Sequence, residues 1–91
     1  MTVYVDQCIH PWRGRKWAHM YADTLDELHA MATRVGLRRA WFQDDWRLPH
    51  YDVVIGKRAL AIHYGAVAVE QRFTGERVRA AITENILELP K

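Results

Sequence analysis

The stretch DTLDELHAMATRVG, residues 23–36, carries the clearest structural signal in this chain of 91 residues. Thr24 and Glu27 have the spacing of a capping box, in which the two side chains satisfy the first free amides of a helix. Apolar residues then recur at the spacing of one helix face: Leu25, Leu28, Ala32 and Val35. Gly36 suits the position just after a helix, because glycine adopts positive φ without strain. The stretch therefore predicts an α-helix that stops at Gly36.

Segments rich in β-branched and aromatic residues lie on both sides of this helix and predict strands. They are TVYVD at 2–6, WAHMY at 17–21, RAWFQ at 39–43 and AVAVE at 66–70. Pro11 and Gly14 mark the intervening residues 7–16 as a loop. A second helix is predicted over residues 54–64, stopping at Gly65.

The last part of the chain predicts a third helix. Thr74 is its candidate N-cap. One face of that helix would be apolar, formed by Val78, Ala81, Ile82, Ile86 and Leu89. Strands that alternate with helices indicate an α/β fold. We therefore expect residues 1–91 to form one domain, a two-layer or three-layer sandwich with about four short strands, mainly parallel, and three helices.

Composition narrows the class of protein. The net charge of +2 is too small to indicate nucleic-acid binding, although ten of the thirteen basic residues are arginine, which suits phosphates and aromatic faces. Cys8 is the only cysteine, which excludes an intrachain disulfide and a cysteine-rich zinc site. Neither a signal peptide nor a membrane span is predicted, so we expect a cytoplasmic protein without membrane contact. A homodimer would be compatible with the small size.

Several motifs resemble those of a known family. MTVYVD, ADTLDELHA, GLRRAWFQ, PHYD and KRALAI followed by GAV are similar to the domain of unknown function 4031, which occurs in small bacterial and phage proteins. The resemblance covers residues 1–70, and its most specific motifs are ADT at 22–24 and HYD at 50–52. Residues 72–89 would then be a helical extension. The resemblance implies a location in a bacterial cell or phage-infected host, and it implies no activity.

Polar side chains follow the predicted strands. Open parallel sheets bind ligands outside the carboxyl ends of their strands, so residues at those positions should converge on one edge. The residues expected there are Asp6, Asp23, Gln43, His50, Tyr51 and Asp52. His19 lies within the predicted strand and is a further candidate for ligand binding, although a lone histidine in a strand is usually structural. Lys57 and Arg58 open the second helix, whose amides would add positive potential for an anion. The segment WFQDDWRLPHYD, residues 41–52, would line the resulting pocket.

His50 and Asp52 form the sharpest pair of candidates. In an extended segment their side chains face the same side, which suits a general base with its orienting carboxylate, or two metal ligands. Further ligands for a divalent metal would come from Asp6, His19 or Asp23, but no motif has metal-site spacing, and no metal ligand is assigned. Alternatively, Asp52 caps the following helix and His50 makes an ordinary hydrogen bond.

The other candidates have structural alternatives as well. Asp6 could cap a turn, and Asp23 could belong to the capping box. Trp46, beside Arg47, could stack on a planar ligand, and Tyr51 could do the same or pack in the core. No role is assigned to His29 or His63, and a nucleophilic pair of Cys8 and His10 has little support. Glycine-rich nucleotide loops, the serine-hydrolase elbow and the zincin motif are all missing from the sequence.

The sequence is compatible with three functions. The favoured one is binding of a nucleotide-like or other phosphate-bearing ligand. Its phosphate would be held by Arg13, Arg15, Lys57 and Arg58, its base would stack on Trp46 or Tyr51, and its polar edge would meet Gln43, His50 and Asp52. The second is a metal-dependent phosphodiesterase or nuclease-like hydrolase that uses Asp6, His50 and Asp52. The third is a nucleic-acid or protein-interaction module that uses the basic loop and exposed tryptophans.

Overall fold

The computed structural model describes residues 2–87, which form a five-stranded sheet and three α-helices. The strands are β1 (Val3–Val5), β2 (His10–Trp12), β3 (Arg15–Ala22), β4 (Tyr51–Val54) and β5 (Val67–Ala68). The helices are α1 (Leu25–Arg34), α2 (Ile55–His63) and α3 (Gln71–Leu87), with one 3-10 turn over Arg39–Trp41. The expected α/β class and the three helices are confirmed.

The segment predicted as a loop is a β-hairpin. Trp12 pairs with Arg15 across β2 and β3, which leaves a two-residue turn of Arg13 and Gly14. Their φ angles are +48° and +71°, and two positive values in succession are the signature of a type I′ turn. This turn matches the twist of its strands, so β3 begins at Arg15, two residues before the predicted extended segment.

Strand β3 lies at the centre of the sheet. Trp17 pairs with both His10 of β2 and Val54 of β4, so these two strands occupy opposite edges of β3. Met20 likewise pairs with both Val5 of β1 and Tyr51 of β4. Strands β1 and β2 therefore share one edge of β3. The residues between them bulge out of the ladder, since the two pairings differ in register by two residues.

The sheet is mixed, so the expectation of a mainly parallel sheet is wrong. Within residues 2–87, β1 and β5 form the one parallel pair, and β3 runs antiparallel to β1, β2 and β4. A parallel pair needs a crossover connection, whereas antiparallel strands can be joined by a tight turn. The hairpin turn reverses the chain in this way, and the prediction of a loop over residues 7–16 did not include that reversal.

The strand predicted over residues 39–43 is also wrong. Arg39–Trp41 forms a 3-10 turn, in which Trp41 points outward while Phe42 packs against the core. Gln43 makes a single antiparallel bridge with His50. A short apolar run has no reliable period, so a turn with one partly buried aromatic residue gives the same pattern as a buried strand.

Both ends of α1 follow the predicted signals. The Thr24 hydroxyl accepts a hydrogen bond from the Glu27 amide and donates one to the Glu27 carboxylate. At the other end, Gly36 has a φ of +83°, and the Gly36 and Leu37 amides bind carbonyls of the last helical turn. This is a Schellman motif, in which glycine relieves the strain of the left-handed conformation.

Helix α3 begins earlier than predicted. It starts at Gln71, so Thr74 lies inside the first turn of the helix and is buried instead of capping it. Val78, Ala81 and Ile82 are half-buried, but Ile86 is exposed, so the predicted apolar face is covered only over its first part. Leu89 lies outside the described residues.

Helices cover both faces of the sheet. On one face, Val5, Met20 and Val53 pack with the buried side chains of α1 and α2. On the opposite face, Tyr4 and Tyr21 contact Phe73 and Thr74 of α3. The side chains of β3 alternate between these faces, so His19 points to the side that α3 covers. Within residues 2–87, none of the helices combines the length and hydropathy needed to cross a bilayer.

Candidate functional site

The polar cluster of this protein is centred on His19, near the middle of β3. The β3–β4 register places Asp52 directly opposite His19. Across the other edge of β3, the bulge after β1 brings Asp6 to the backbone of His19, where the two residues exchange hydrogen bonds. Two carboxylates from opposite strands therefore flank one imidazole on the same face of the sheet.

Asp6 holds the His19 ring in one orientation. Its Oδ1 atom accepts a 2.7 Å hydrogen bond from the His19 backbone amide, and its Oδ2 atom lies 2.8 Å from Nδ1 of the imidazole. Because Asp6 is fully buried, this contact is shielded from competing water. In the neutral ring Nδ1 then carries the proton, so Nε2 of His19 presents its lone pair.

Asp6 is also bound to two helices. Thr74 of α3 donates its hydroxyl to Asp6 Oδ2 at 3.0 Å, and the Tyr21 hydroxyl lies 2.9 Å from the same threonine oxygen. Arg58 of α2 donates from Nε to the Asp6 backbone carbonyl at 2.6 Å. Burial alone would raise the pKa of Asp6, but the hydrogen bonds from His19 and Thr74 outweigh it, so that pKa is lowered.

His50 is anchored in a similar way. Its Nδ1 atom lies 2.6 Å from the Leu48 carbonyl, which can only accept, so Nδ1 carries a proton. Its Nε2 atom faces Oδ1 of Asp52 at 3.4 Å. A neutral ring would direct its lone pair at a carboxylate. Burial lowers the pKa of His50, but Asp52 and the Leu48 carbonyl outweigh this and raise it, so a proton on Nε2 relieves the conflict.

Asp52 is held as a carboxylate. The side chain of His50 is the main cause of its lowered pKa, against the opposing effect of burial, and the Gln43 amide contributes a further hydrogen bond to Oδ2. The single bridge between Gln43 and His50 fixes both residues beside Asp52. The structure therefore brings together five of the predicted site residues: Asp6, His19, Gln43, His50 and Asp52.

Two overlapping groups of potential metal ligands meet at His19. One contains His19, His50 and Asp52, and the other contains Asp6, His10 and His19; in each, the ligand atoms lie within 4.8 Å of one another. The His10 ring lies 4.5 Å from that of His19, and the His50 ring lies 5.0 Å from it, both edge to face. Three imidazoles and two carboxylates thus share one surface.

Two predicted site residues are used elsewhere in the fold. Tyr51 points to the opposite face of the sheet from its neighbours, where it is buried and its hydroxyl lies 2.8 Å from Nδ1 of His29. Asp23 lies at the far end of β3, because β3 runs antiparallel to β1. There it accepts hydrogen bonds from the Thr2 amide, the Tyr4 hydroxyl and Arg77.

The predicted phosphate-binding residues are distributed over three places. Lys57 donates to the Val35 carbonyl at the end of α1, whereas Arg58 donates to the backbone of Asp6. Arg13 and Arg15 lie at the tip of the hairpin. Trp46 is 59% exposed in the loop before β4, next to an ion pair between Arg47 and Asp45.

The cluster is buried at Asp6 and His50 and reaches solvent at His10, His19 and Asp52. Two shallow concavities of about 390 and 320 Å³ occur elsewhere; the larger lies beside α1 and Tyr64, and the smaller lies at the start of α3. Residues 41–52 line neither of them. The expected position at the carboxyl edge of parallel strands is wrong too, because the cluster forms at mid-strand through antiparallel register.

His10 and Thr74 are the members of the cluster that sequence reasoning missed. The signal for His10 was the dipeptide Arg13–Gly14, because a two-residue turn there pairs residues 10 and 17 and places His10 beside His19. Thr74 carried no local signal, since it reaches Asp6 over 68 residues of chain.

The fold and the cluster define a small α/β domain whose central strand carries a histidine flanked by buried and half-buried carboxylates. The sequence profile of DUF4031, described as a protein of unknown function, matches residues 3–81. The chain belongs to this family, as its motifs indicated. The match continues past residue 70 into α3 and includes Thr74. No curated protein and no solved structure matches the chain.

Proposed function

We propose that this protein is a metal-dependent phosphodiester hydrolase whose divalent metal is held by His19, His50 and Asp52. The observation that carries the proposal is the fixed orientation of two imidazoles, those of His19 and His50. Nδ1 of each is bound to an oxygen acceptor, Asp6 in one ring and the Leu48 carbonyl in the other. Metal-binding histidines in proteins are oriented in this way, with the second nitrogen left for the metal.

The distance between His50 and Asp52 supports the same proposal. A charge-assisted hydrogen bond is usually about 2.7–2.9 Å long, so 3.4 Å is long for such a bond. Two tetrahedral ligands about 2.1 Å from a zinc ion are themselves about 3.4 Å apart. An ion between these atoms would replace the proton on Nε2 of His50 and satisfy both groups.

Two histidines and one carboxylate leave a coordination position for water, as catalytic metal sites require. A divalent ion held by His19, His50 and Asp52 would activate water for bond formation to phosphorus, with cleavage of the ester P–O bond. His10, whose ring contacts that of His19, would accept a proton from that water and return it to the leaving alcohol oxygen. Water is consumed, and the products are an alcohol and a phosphomonoester.

Binding of a nucleotide-like ligand without turnover has less geometric support. Lys57 and Arg58 donate to backbone carbonyls, and Tyr51 is buried, so three of its expected contacts are used within the fold. The metal-centred proposal instead uses residues that lie in contact with one another.

The metal is tested by calorimetric titration of the chelator-treated protein with Zn²⁺, Mn²⁺ and, without oxygen, Fe²⁺. We expect one ion per chain with wild type, and loss of that binding with Asp52→Asn, which keeps the shape of the side chain. Asp44→Asn is the matched control, because Asp44 is exposed. Equal binding by Asp52→Asn and wild type would contradict the site.

The reaction is tested with bis(p-nitrophenyl) phosphate and the loaded protein. We expect release of nitrophenolate that stops on addition of EDTA and that Asp52→Asn does not catalyse. His10→Gln should keep the metal and lose turnover. A protein that binds one metal ion per chain and hydrolyses no phosphodiester would contradict the hydrolase.

A further inference from the structure

The hairpin of β2 and β3 has an exposed cationic surface. From Gln7 to Ala22 the chain contains no acidic residue, and it contains three cations within four positions, Arg13, Arg15 and Lys16. All three side chains are exposed, and within residues 2–87 none of them forms a salt bridge. Carboxylates of the fold therefore leave these charges unneutralised.

The same hairpin exposes an aromatic side chain beside one of these cations. Trp12 is 55% exposed, although the Arg13 guanidinium lies 4.5 Å from its ring centre and the Trp17 ring packs edge to face against it. The Trp17 indole donates to the Trp12 carbonyl at 2.9 Å, which fixes the pair on the hairpin. An exposed ring held rigidly beside an arginine is suited to stacking on a nucleobase.

The register places these groups in line with the histidine cluster. Trp12 pairs with Arg15, and His10 pairs with Trp17, so all four side chains point to one face of the hairpin. His19 follows Trp17 on that face of β3, and the His10 ring contacts it. Lys16 points to the other face. A continuous row thus runs from the hairpin tip to the cluster.

We infer that this row, composed of His10, Trp12, Arg15, Trp17 and His19, binds single-stranded nucleic acid and presents its phosphodiester backbone to the histidine cluster. The inference rests on the proposed hydrolase and names its substrate class. A single strand is the expected occupant because its bases are free to stack on Trp12, whereas the bases of a duplex are not. Arg15 would contact a phosphate of the same strand.

The inference is tested by fluorescence anisotropy of a labelled twelve-residue oligothymidylate in EDTA at low salt. We expect binding that weakens steeply with salt. Arg15→Ala should weaken it roughly five- to tenfold and reduce the salt slope by about 0.7, the effect of one phosphate contact with a single strand. Lys16→Ala, next to it on the opposite face, should change binding less than twofold.

Trp12→Ala should weaken binding at least about fivefold, because one stacked base contributes that much or more. Trp46→Ala is the matched control, since its ring is equally exposed but lies outside the row. The inference would be overturned if a duplex of the same length bound as tightly as the single strand. It would also be overturned if polyglutamate displaced the labelled strand as well as unlabelled oligothymidylate does, or if Arg15→Ala and Lys16→Ala had equal effects.

Failure of this inference is distinguishable from failure of the proposed function, because strand binding is measured without metal. Asp52→Asn should bind the oligonucleotide in EDTA at least as tightly as wild type while losing the metal. Metal uptake without strand binding would contradict single-stranded nucleic acid as the substrate and leave the proposed hydrolase in place. Strand binding without metal uptake would contradict the proposed hydrolase.

Discussion

Asp6 and Thr74 are joined by a 3.0 Å hydrogen bond, although 68 positions separate them in the chain. This bond fastens the last helix to the end of the first strand, directly behind His19. Asp6 thereby joins the sheet to two helices, because Arg58 of α2 donates to its backbone carbonyl as well.

Replacement of Thr74 by valine should destabilise the fold. The change keeps the shape of the side chain but leaves the buried Tyr21 hydroxyl without its partner and removes a donor to Asp6. We expect the free energy of unfolding, measured with urea, to fall by about 1–3 kcal/mol. Thr33→Val makes the same change on the exposed face of α1 and should alter it by no more than about 0.5 kcal/mol. Equal effects would show that the Thr74 hydroxyl is not important for stability.

Asp6 should contribute to the loss of stability in acid. Its pKa is lowered in the folded state, so its contribution is complete above the usual value of 3.8 and is lost as the pH falls through the folded pKa. The loss of unfolding free energy between pH 5 and pH 2, measured with EDTA present, should be smaller in Asp6→Asn than in wild type. Asp44→Asn should retain the wild-type loss. An unchanged acid limb in Asp6→Asn would contradict the lowered pKa.

Replacement by alanine should change the unfolding free energy in opposite directions at two glycines. Gly36 has a φ of +83°, and a Cβ atom there would lie 3.1 Å from Nζ of Lys57, so Gly36→Ala should cost about 1–2 kcal/mol of unfolding free energy. Gly56 lies within α2 with no atom near the position of an added Cβ. Gly56→Ala should therefore stabilise the protein by about 0.5–1 kcal/mol. Thermal and urea unfolding of both variants check the signs.

The hydrogen bond between the Tyr51 hydroxyl and His29 should contribute to the stability of the fold. Tyr51→Phe removes a 2.8 Å hydrogen bond and keeps the ring that packs on Phe42, so we expect a loss of about 1 kcal/mol in unfolding free energy. Tyr64→Phe, at a half-exposed position, should have little effect. A Tyr51→Phe variant as stable as wild type would mean that water replaces the tyrosine hydroxyl without cost.

The parts of the fold that could be predicted are those determined by nearby residues. The capping box of Thr24 and Glu27 and the stop at Gly36 act within a few positions, and α1 forms where they indicate. The hairpin was missed because arginine stands at the first turn position, where asparagine, aspartate or glycine is usual. That single turn decides the direction of β3, and with it the change from a parallel to a mixed sheet.

The cluster was predictable only in part, because it too depends on contacts between residues that are far apart in the chain. His50 and Asp52 face one side because they are two positions apart in an extended segment, as the sequence indicates. Their approach to His19 depends on the pairing of β3 with β4, and that of Asp6 depends on the bulge before β2. Strands that no tight turn joins take their register from the face that each buries in the core, and a short stretch of sequence does not show which strands become neighbours.

The contact between Asp6 and Thr74 also links the histidine cluster to the docking of α3. Thr74 donates to the same carboxylate oxygen of Asp6 that faces Nδ1 of the His19 ring. Separation of α3 from the sheet would remove this donor and expose a carboxylate that is fully buried in the fold. The orientation of His19 is therefore coupled to a helix that lies outside both groups of potential metal ligands.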